Sequence, residues 1–463
     1  MTEATETTAD TGKEAESAEE AGKKYSFQIE SLDSENMPER FLKAFAAILR
    51  HSNYVGALEM YSRMDMKCGR CAGMCQVYRA SQDPKDDPCR RTGLLLNIYK
   101  RYFTPHGALR SEYDDMDILD SEIDELIESM YRCTMCRRCH LECPAGIDHA
   151  LITHLGRYIL SEMRVIPRTL RVAVRNQLEG KTKNILNMQP AALMDTIEFL
   201  EEELEETTGR KIKIPVGKRD VDYVFFPPVT DFMSEAETLM GHAAAMHAMG
   251  LGDRWTIGDR VYDVKNYGYY YSDWIFERLT RELVGETKRL NGRNILIGEC
   301  GHATRAARLG VPAWGGSNPP NVVSSIELLY EGVKTGKIKL DPNAVAEKVT
   351  YHDPCNIGRN CGIVAQPRFI LKRFVKNFVE MRPNGRYNFC CGAGPASIDE
   401  IHDYRMTTGG KMKAEQLRKT GAAIVVAPCA NCKKQIGELI EHHKLPMERK
   451  GLHDLVLKAI VWD

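Results

Sequence analysis

The chain has 463 residues, a formal net charge of −1 and 27% charged residues. That leaves room for two or three domains and no basic field of the kind that binds nucleic acid. No apolar run reaches the roughly eighteen residues of a membrane-spanning helix, and fifteen cysteines without an export signal point to a reducing compartment, where clustered thiols hold metals.

Residues 1–24 are acidic and rich in Thr, Ala and Glu, which predicts a disordered tail. The stretch MPERFLKAFAAILRHSNYVGALEMYSRM has helical apolar spacing and predicts a packing helix. Two cysteine runs follow, Cys68-x2-Cys71-x3-Cys75 and Cys133-x2-Cys136-x2-Cys139-x3-Cys143-Pro144. The second is the full bacterial ferredoxin run, in which the fourth cysteine crosses to the other cluster. Overlaying the runs assigns Cys133, Cys136, Cys139 and the crossing Cys75 to one cluster. Cys68, Cys71 and the crossing Cys143 belong to the other, which lacks a ligand because Asp65 stands where the first run needs a cysteine. Cys89 is the first candidate for the vacancy, Asp65 the second, and a site with three protein ligands the third. RTGLLLNIYKRYFTPHGALR and DILDSEIDELIESMYR read as helices between the runs, so residues 25–147 form a helical ferredoxin-like domain. Arg70, Arg137 and Arg138 lie among the ligands, where positive charge favours the reduced cluster or marks a solvated basic patch.

Residues 148–216 read as a helical bridge, and TTGRKIKIPVGKRD resets the pattern. From there strand and helix alternate in two stretches, 217–345 and 346–463. The second carries Cys355 after VTYHD, the pair Cys390–Cys391 after YNF, and Cys429-x2-Cys432 after AAIVVA, with helices expected over 364–379, 400–419 and 430–444. Sites in open α/β folds gather where the strands end. Five thiolates converging there describe a soft-metal site, most simply iron–sulfur, and adjacent cysteines disfavour a disulfide. A structural zinc site with a spare thiol is the bland alternative. The first stretch repeats the pattern without the ligands: Pro228 stands for Cys355, Asn266 and Tyr267 for Cys390 and Cys391, Cys300 for Cys429 and Ala303 for Cys432. This reads as an internal duplication whose first copy is degenerate. Cys300 and His302 are candidates to line a shared cleft, against a plain structural role. Cys361 reads as a small buried residue outside the ligand set. His352, Arg359, Lys433 and Lys434 flank the cysteines and are candidates to supply protons or offset thiolate charge. No dinucleotide fingerprint occurs.

The pattern Cys-x34-Cys-Cys-Gly-x36-Cys-x2-Cys, with the wording YHDPC, CCG and PCANCKKQ, resembles the CCG domain of heterodisulfide reductase catalytic subunits. It is most similar to the heterodisulfide-reductase-like subunits of sulfate-reducer membrane redox complexes of the Dsr, Hmc and Tmc type. The resemblance implies an α + α/β fold: a helical two-cluster ferredoxin-like domain, then a pseudo-symmetric pair of α/β CCG domains, the first degenerate. It implies two ferredoxin-type [4Fe-4S] clusters and one special [4Fe-4S] cluster, cubane or non-cubane, held by Cys355, Cys390, Cys391, Cys429 and Cys432. The implied function is reduction of a disulfide-type sulfur bond. The implied partners are an integral-membrane haem or quinone-interacting subunit, further redox subunits and a small disulfide-bearing protein, at the cytoplasmic face of the membrane. A pure electron conduit and the iron–sulfur subunit of a glycolate or lactate oxidase complex are the competing readings.

Overall fold

The computed structural model describes residues 36–105, 117–394 and 397–462, together with Tyr25, Phe27 and Ile29. The expected tail over 1–24 lies outside the described residues. The rest divides into two compact units. One holds the described residues up to Met135, Cys139–Arg171 and Ile398–Asp403; the other holds Cys136–Arg138, Val172–Ser397 and Tyr404–Asp463.

The first unit is built from helices. The expected packing helix is two, Met37–Arg50 and Tyr54–Met64, separated by a turn at His51-Ser52-Asn53. The first buries Met37, Phe41, Phe45 and Ile48 along one stripe, the spacing of a helix with one apolar face. Asp87 caps the helix Pro88–Tyr102 by accepting from the Cys89 N–H at 2.8 Å, which fixes Cys89 in its first turn. Asp120–Arg132 and His149–Glu162 bracket the second cysteine run.

The second unit contains two four-stranded parallel sheets. Strands β1 (Tyr223–Phe226), β2 (Trp255–Ile257), β3 (Asn294–Ile297) and β4 (Asn321–Ser324) take the order β2-β1-β3-β4. Strands β5 (Val345–Tyr351), β6 (Val375–Val379), β7 (Ile424–Val426) and β8 (Glu448–Lys450) take the order β6-β5-β7-β8. In each sheet the chain runs outward one way from the first strand and then returns to its other side. That makes a crevice beyond the carboxyl ends of β1 and β3, and another beyond those of β5 and β7. The inner strands β3 and β7 are short, mostly apolar runs, and β5 is buried over its last three residues, Val349–Tyr351, as parallel strands covered on both faces require.

Two expectations fail here. YNF is not a strand: Gly385–Tyr387 is a short 3-10 turn, and the Asn388 side chain is tied to Asp353 O at 2.8 Å. The expected helix over 364–379 ends at Leu371, and Val375–Val379 pairs in parallel with β5 instead. Helical spacing continues through the segment, but its backbone completes the ladder.

The helix Ala236–Ala248 after β1 packs on Leu452–Ala459 after β8. Gly241 makes the approach possible, because a Cβ there would lie 2.2 Å from the His453 carbonyl oxygen. The rings of His242 and His453 stack at 3.7 Å beside it. Gly241→Ala is therefore expected to overpack this contact and destabilise the chain by about 1–3 kcal/mol, read as a lowered urea midpoint with an unchanged slope. An unchanged midpoint would show that the helices do not depend on this approach.

Candidate metal centre

Cys355 follows β5 and Cys429 follows β7, so the switch between these adjacent strands sets two thiols at one crevice. Cys429 also caps the helix Ala430–His442, whose first turn carries Cys432. Cys390 and Cys391 come from the loop after β6. Gly392 lets that loop in: its φ is +100°, and a Cβ would lie 2.6 Å from the Gly409 backbone. All five thiols are buried. Cys390 Sγ lies 3.9 Å from Cys355 Sγ, and ligand atoms of Cys391, Cys432 and His352 fall within 4.8 Å of one another. Cys391 meets Cys390 and Cys432, and Cys429 meets Cys432, through thiol hydrogen bonds.

Those hydrogen bonds split the thiols. Bonds to Cys390 and Cys432 hold Cys391, and bonds to Cys300 and Cys432 hold Cys429, well below the ordinary thiol value; a bond to Cys390 pushes Cys355, and bonds to Cys391 and Cys429 push Cys432, well above it, with burial adding to the rise. Five buried thiols sharing protons form a soft, anionic donor set that suits iron–sulfur chemistry. The adjacent pair and the fifth thiol exceed what a four-coordinate structural zinc uses.

The sequence candidates around this set have different fates. His352 is fully buried, and burial with Lys413 nearby keeps it well below its ordinary pKa, hence neutral. Its Nε2 has no hydrogen-bond partner among the described residues. Arg359 is a clamp: it donates to Arg386 O at 2.7 Å, Cys136 O at 2.8 Å and Asn388 O. Lys433 instead meets Thr238 Oγ1 at 2.6 Å and Glu235 at 3.1 Å. The cation near the thiols is Lys413. It is buried and donates to Asn388 Oδ1 at 2.9 Å. Burial brings its pKa down to about 7, against the pull of Asp353 and the Cys391, Cys390 and Cys432 sulfurs. It lies on a helix far from any cysteine motif, and only the fold brings it in.

Cys300 stands where the sequence overlay puts it, after β3. Its sulfur accepts from Ala303 N at 3.4 Å and Asn266 Nδ2 at 3.7 Å, and it meets the Cys429 thiol. Gly301 N donates to Cys429 Sγ at 3.4 Å. Asn431 Nδ2 lies 3.2 Å from His302 Nδ1. Cys361 is half-buried and outside the thiol group. The second unit also takes in Cys136–Arg138, with the Cys136 thiol against Cys390 and the Arg138 guanidinium 4.6 Å from the Phe389 ring.

In the first unit Cys68, Cys71, Cys89 and Cys143 line one small cavity, with Asp65 at its wall. The Cys71 and Cys89 thiols hydrogen-bond, and Asp65 Oδ1 accepts from Lys67 N at 3.1 Å. Arg91, which sequence reasoning passed over, is buried beside Cys133, Cys75 and Cys139. Burial opposes its charge, but these sulfurs and Asp86 raise its pKa overall. It donates to Ser129 O at 2.7 Å and Asp86 O at 3.2 Å. Arg70 pairs with Glu142 at the surface.

Residues 349–437 match a cysteine-rich domain family termed CCG, and residues 66–147 match a 4Fe-4S dicluster domain. The chain is 28% identical to an Hdr-like menaquinol oxidoreductase iron-sulfur subunit 2 of Archaeoglobus fulgidus, over 92% of this chain and 84% of that one. It is 22% identical to a dihydromethanophenazine:CoB--CoM heterodisulfide reductase subunit of Methanosarcina barkeri, over 85% and 93% of the two chains. It is 21% identical to an EtfAB:quinone oxidoreductase of Syntrophomonas wolfei, over 81% of this chain and 54% of that one.

Proposed function

We propose that this chain, a heterodisulfide-reductase-like iron–sulfur oxidoreductase, relays electrons through two ferredoxin-type [4Fe-4S] clusters to a third at Cys355, Cys390, Cys391, Cys429 and Cys432, where a disulfide-type sulfur bond is reduced. The observation that carries this reading is the buried five-thiol set with Lys413 beside it. When bound, the clusters supply single electrons, and at the five-thiol set electrons for an S–S bond. The chain's own residues do the rest. Cys133, Cys136, Cys139 and Cys75 hold one ferredoxin-type cluster, with Arg91 offsetting its charge. Cys68, Cys71, Cys143 and Cys89 hold the other. Lys413, held near neutral pKa, offsets thiolate charge at the reducing site and is a proton source there.

The two sheets, with matching strand order, are read as the products of one duplication, the first copy having kept its fold and lost its ligands. On this reading the domains run 25–147, 148–216, 217–345 and 346–463. The relatives are subunits of redox complexes by name, and among the described residues no helix is long and apolar enough to cross a membrane. We therefore place the chain at the cytoplasmic face of the membrane, on an integral haem- or quinone-interacting subunit and further redox subunits, with a small disulfide-bearing protein as substrate. Mixing the anaerobically reduced chain with a disulfide tests the function: two thiols should appear for each pair of electrons lost. The quinone chemistry in two relatives' names favours a second reading, a conduit without bond chemistry. On that reading no thiol appears.

Cys89→Ser is expected to shift or abolish one ferredoxin-type signal in the electron paramagnetic resonance spectrum of the reduced chain and leave the other intact. An unchanged spectrum would move the fourth ligand to Asp65 or outside the chain.

A further inference from the structure

The crevice beyond β1 and β3 holds a cavity of about 180 Å³. Pro228, Asn266, Tyr267 and Cys300 line it, four of the five positions that match the ligands of the second sheet. A copy that had become mere scaffold would close over lost ligands, because buried polar groups without partners cost stability. Here the space stays open. Tyr267 lines it with a side chain more than nine-tenths buried, and among the described residues its hydrogen bond is made by the backbone N–H, to Gln177 Oε1 at 3.4 Å, which leaves the hydroxyl to the cavity. Cys300 forms part of the wall and touches Cys429 on its other side. Ala430 and Asn431, next to Cys429, complete that wall. Leu186, half-exposed, and Lys434 mark the mouth. The Asp263 carboxylate also lines the cavity, but its oxygens already accept from Val229 N at 3.0 Å, Gln177 Nε2 at 3.2 Å and Ile185 N at 3.3 Å.

We propose that this cavity is the binding pocket for the sulfur-bearing end of the substrate, with Tyr267 donating its hydroxyl hydrogen bond to the sulfur. The inference rests on the disulfide-reductase reading and adds to it the size and polarity of what is bound. The first copy has exchanged two thiol ligands for an amide and a phenol, which turns a metal site into a site for a sulfur anion. A cavity near 150 Å³ holds a molecule of benzene's size, so the pocket admits a compact thiol or disulfide terminus and leaves the rest of a larger substrate outside.

The probe is 2-mercaptoethanol, titrated into the anaerobic, cluster-loaded full chain while the electron paramagnetic resonance of the five-thiol centre is followed. Glutathione serves as the bulky comparison. Tyr267→Phe removes only the donor, and Leu186→Trp blocks the mouth from an exposed position. The expected result is a spectral change in the wild type at lower concentration for 2-mercaptoethanol than for glutathione. The half-saturating concentration should rise several-fold in Tyr267→Phe and at least tenfold in Leu186→Trp. Unchanged ferredoxin-type signals certify the fold of both variants. No spectral change in the wild type, or equal half-saturation in all three proteins, would overturn the pocket and leave water as its occupant. Disulfide turnover is measured on the same samples. Turnover with no effect of either variant refutes the pocket alone, whereas thiol binding without turnover refutes the reductase reading and keeps the pocket.

Discussion

Cys391→Ala is expected to lose about four of the roughly twelve irons that three four-iron clusters would carry, and to abolish reduction of a disulfide while both ferredoxin-type signals remain. Cys391 is the thiol that meets both Cys390 and Cys432, so its removal divides the set rather than trimming its edge. It is also one of the two thiols held well below the ordinary value, the form that ligates metal. The first-unit thiols Cys68, Cys71, Cys89 and Cys143 line their own cavity and keep their donors. Iron and acid-labile sulfide analysis of the anaerobic variant reads the loss. Full iron content, or zinc in place of iron in the wild type, would contradict the assignment.

Lys433→Met is expected to cost about 3–5 kcal/mol, the magnitude for removing one partner from a buried ionic group. Lys433 is fully buried, bonded to Thr238 and Glu235, and faces Asp231, Asp454 and Glu299. Asp454 stays below its ordinary carboxylate value, where Lys433, hydrogen bonds from Thr238 and Gly451, and Lys450 outweigh burial. Burial drives Glu299 up to about 7, even with the lysine present. The sign of the pH dependence follows. A carboxyl whose folded pKa exceeds its ordinary 4.5 contributes stability that is fully present below 4.5 and lost as pH rises through 7. Without the lysine these carboxylates are costlier still when ionised. The deficit of the variant should therefore be largest above pH 7 and shrink toward pH 5, read from urea unfolding at several pH values. A deficit independent of pH would show that packing of the lysine stem, not charge, is what the variant loses.

The pattern of legible and illegible features has a physical cause. The cysteines were legible because a cluster needs its ligands at fixed turns and strand ends, and those spacings are written locally. Cys89 could be singled out because one run lacked a partner, and the fold brings it to Cys71. Lys413, Arg91 and the cavity side of Tyr267 carry no local signal; each reaches its place only when distant elements pack. The alternation of strand and helix was readable, but β2, β4 and β8 span three or four residues each, too short to show a period. The segment Val375–Val379 read as helix because Phe374 and Phe378 fall at helical spacing, while register with β5 decides otherwise. Lys433 looked like a partner of the thiols because it follows Cys432, yet successive residues on a helix face different directions, and it turns to Thr238 instead.

The most direct test of the central claim is anaerobic stopped-flow mixing of the fully reduced chain with a small-protein disulfide, in the wild type and in Cys391→Ala. The ferredoxin-type absorbance and the free thiols are followed together. The account predicts that the wild type reoxidises and releases two thiols for each pair of electrons, while the variant, with its ferredoxin-type clusters reduced, stays reduced and releases none. Reoxidation of the variant at the wild-type rate with the same thiol yield would contradict it, because the electrons would then reach sulfur without the five-thiol centre.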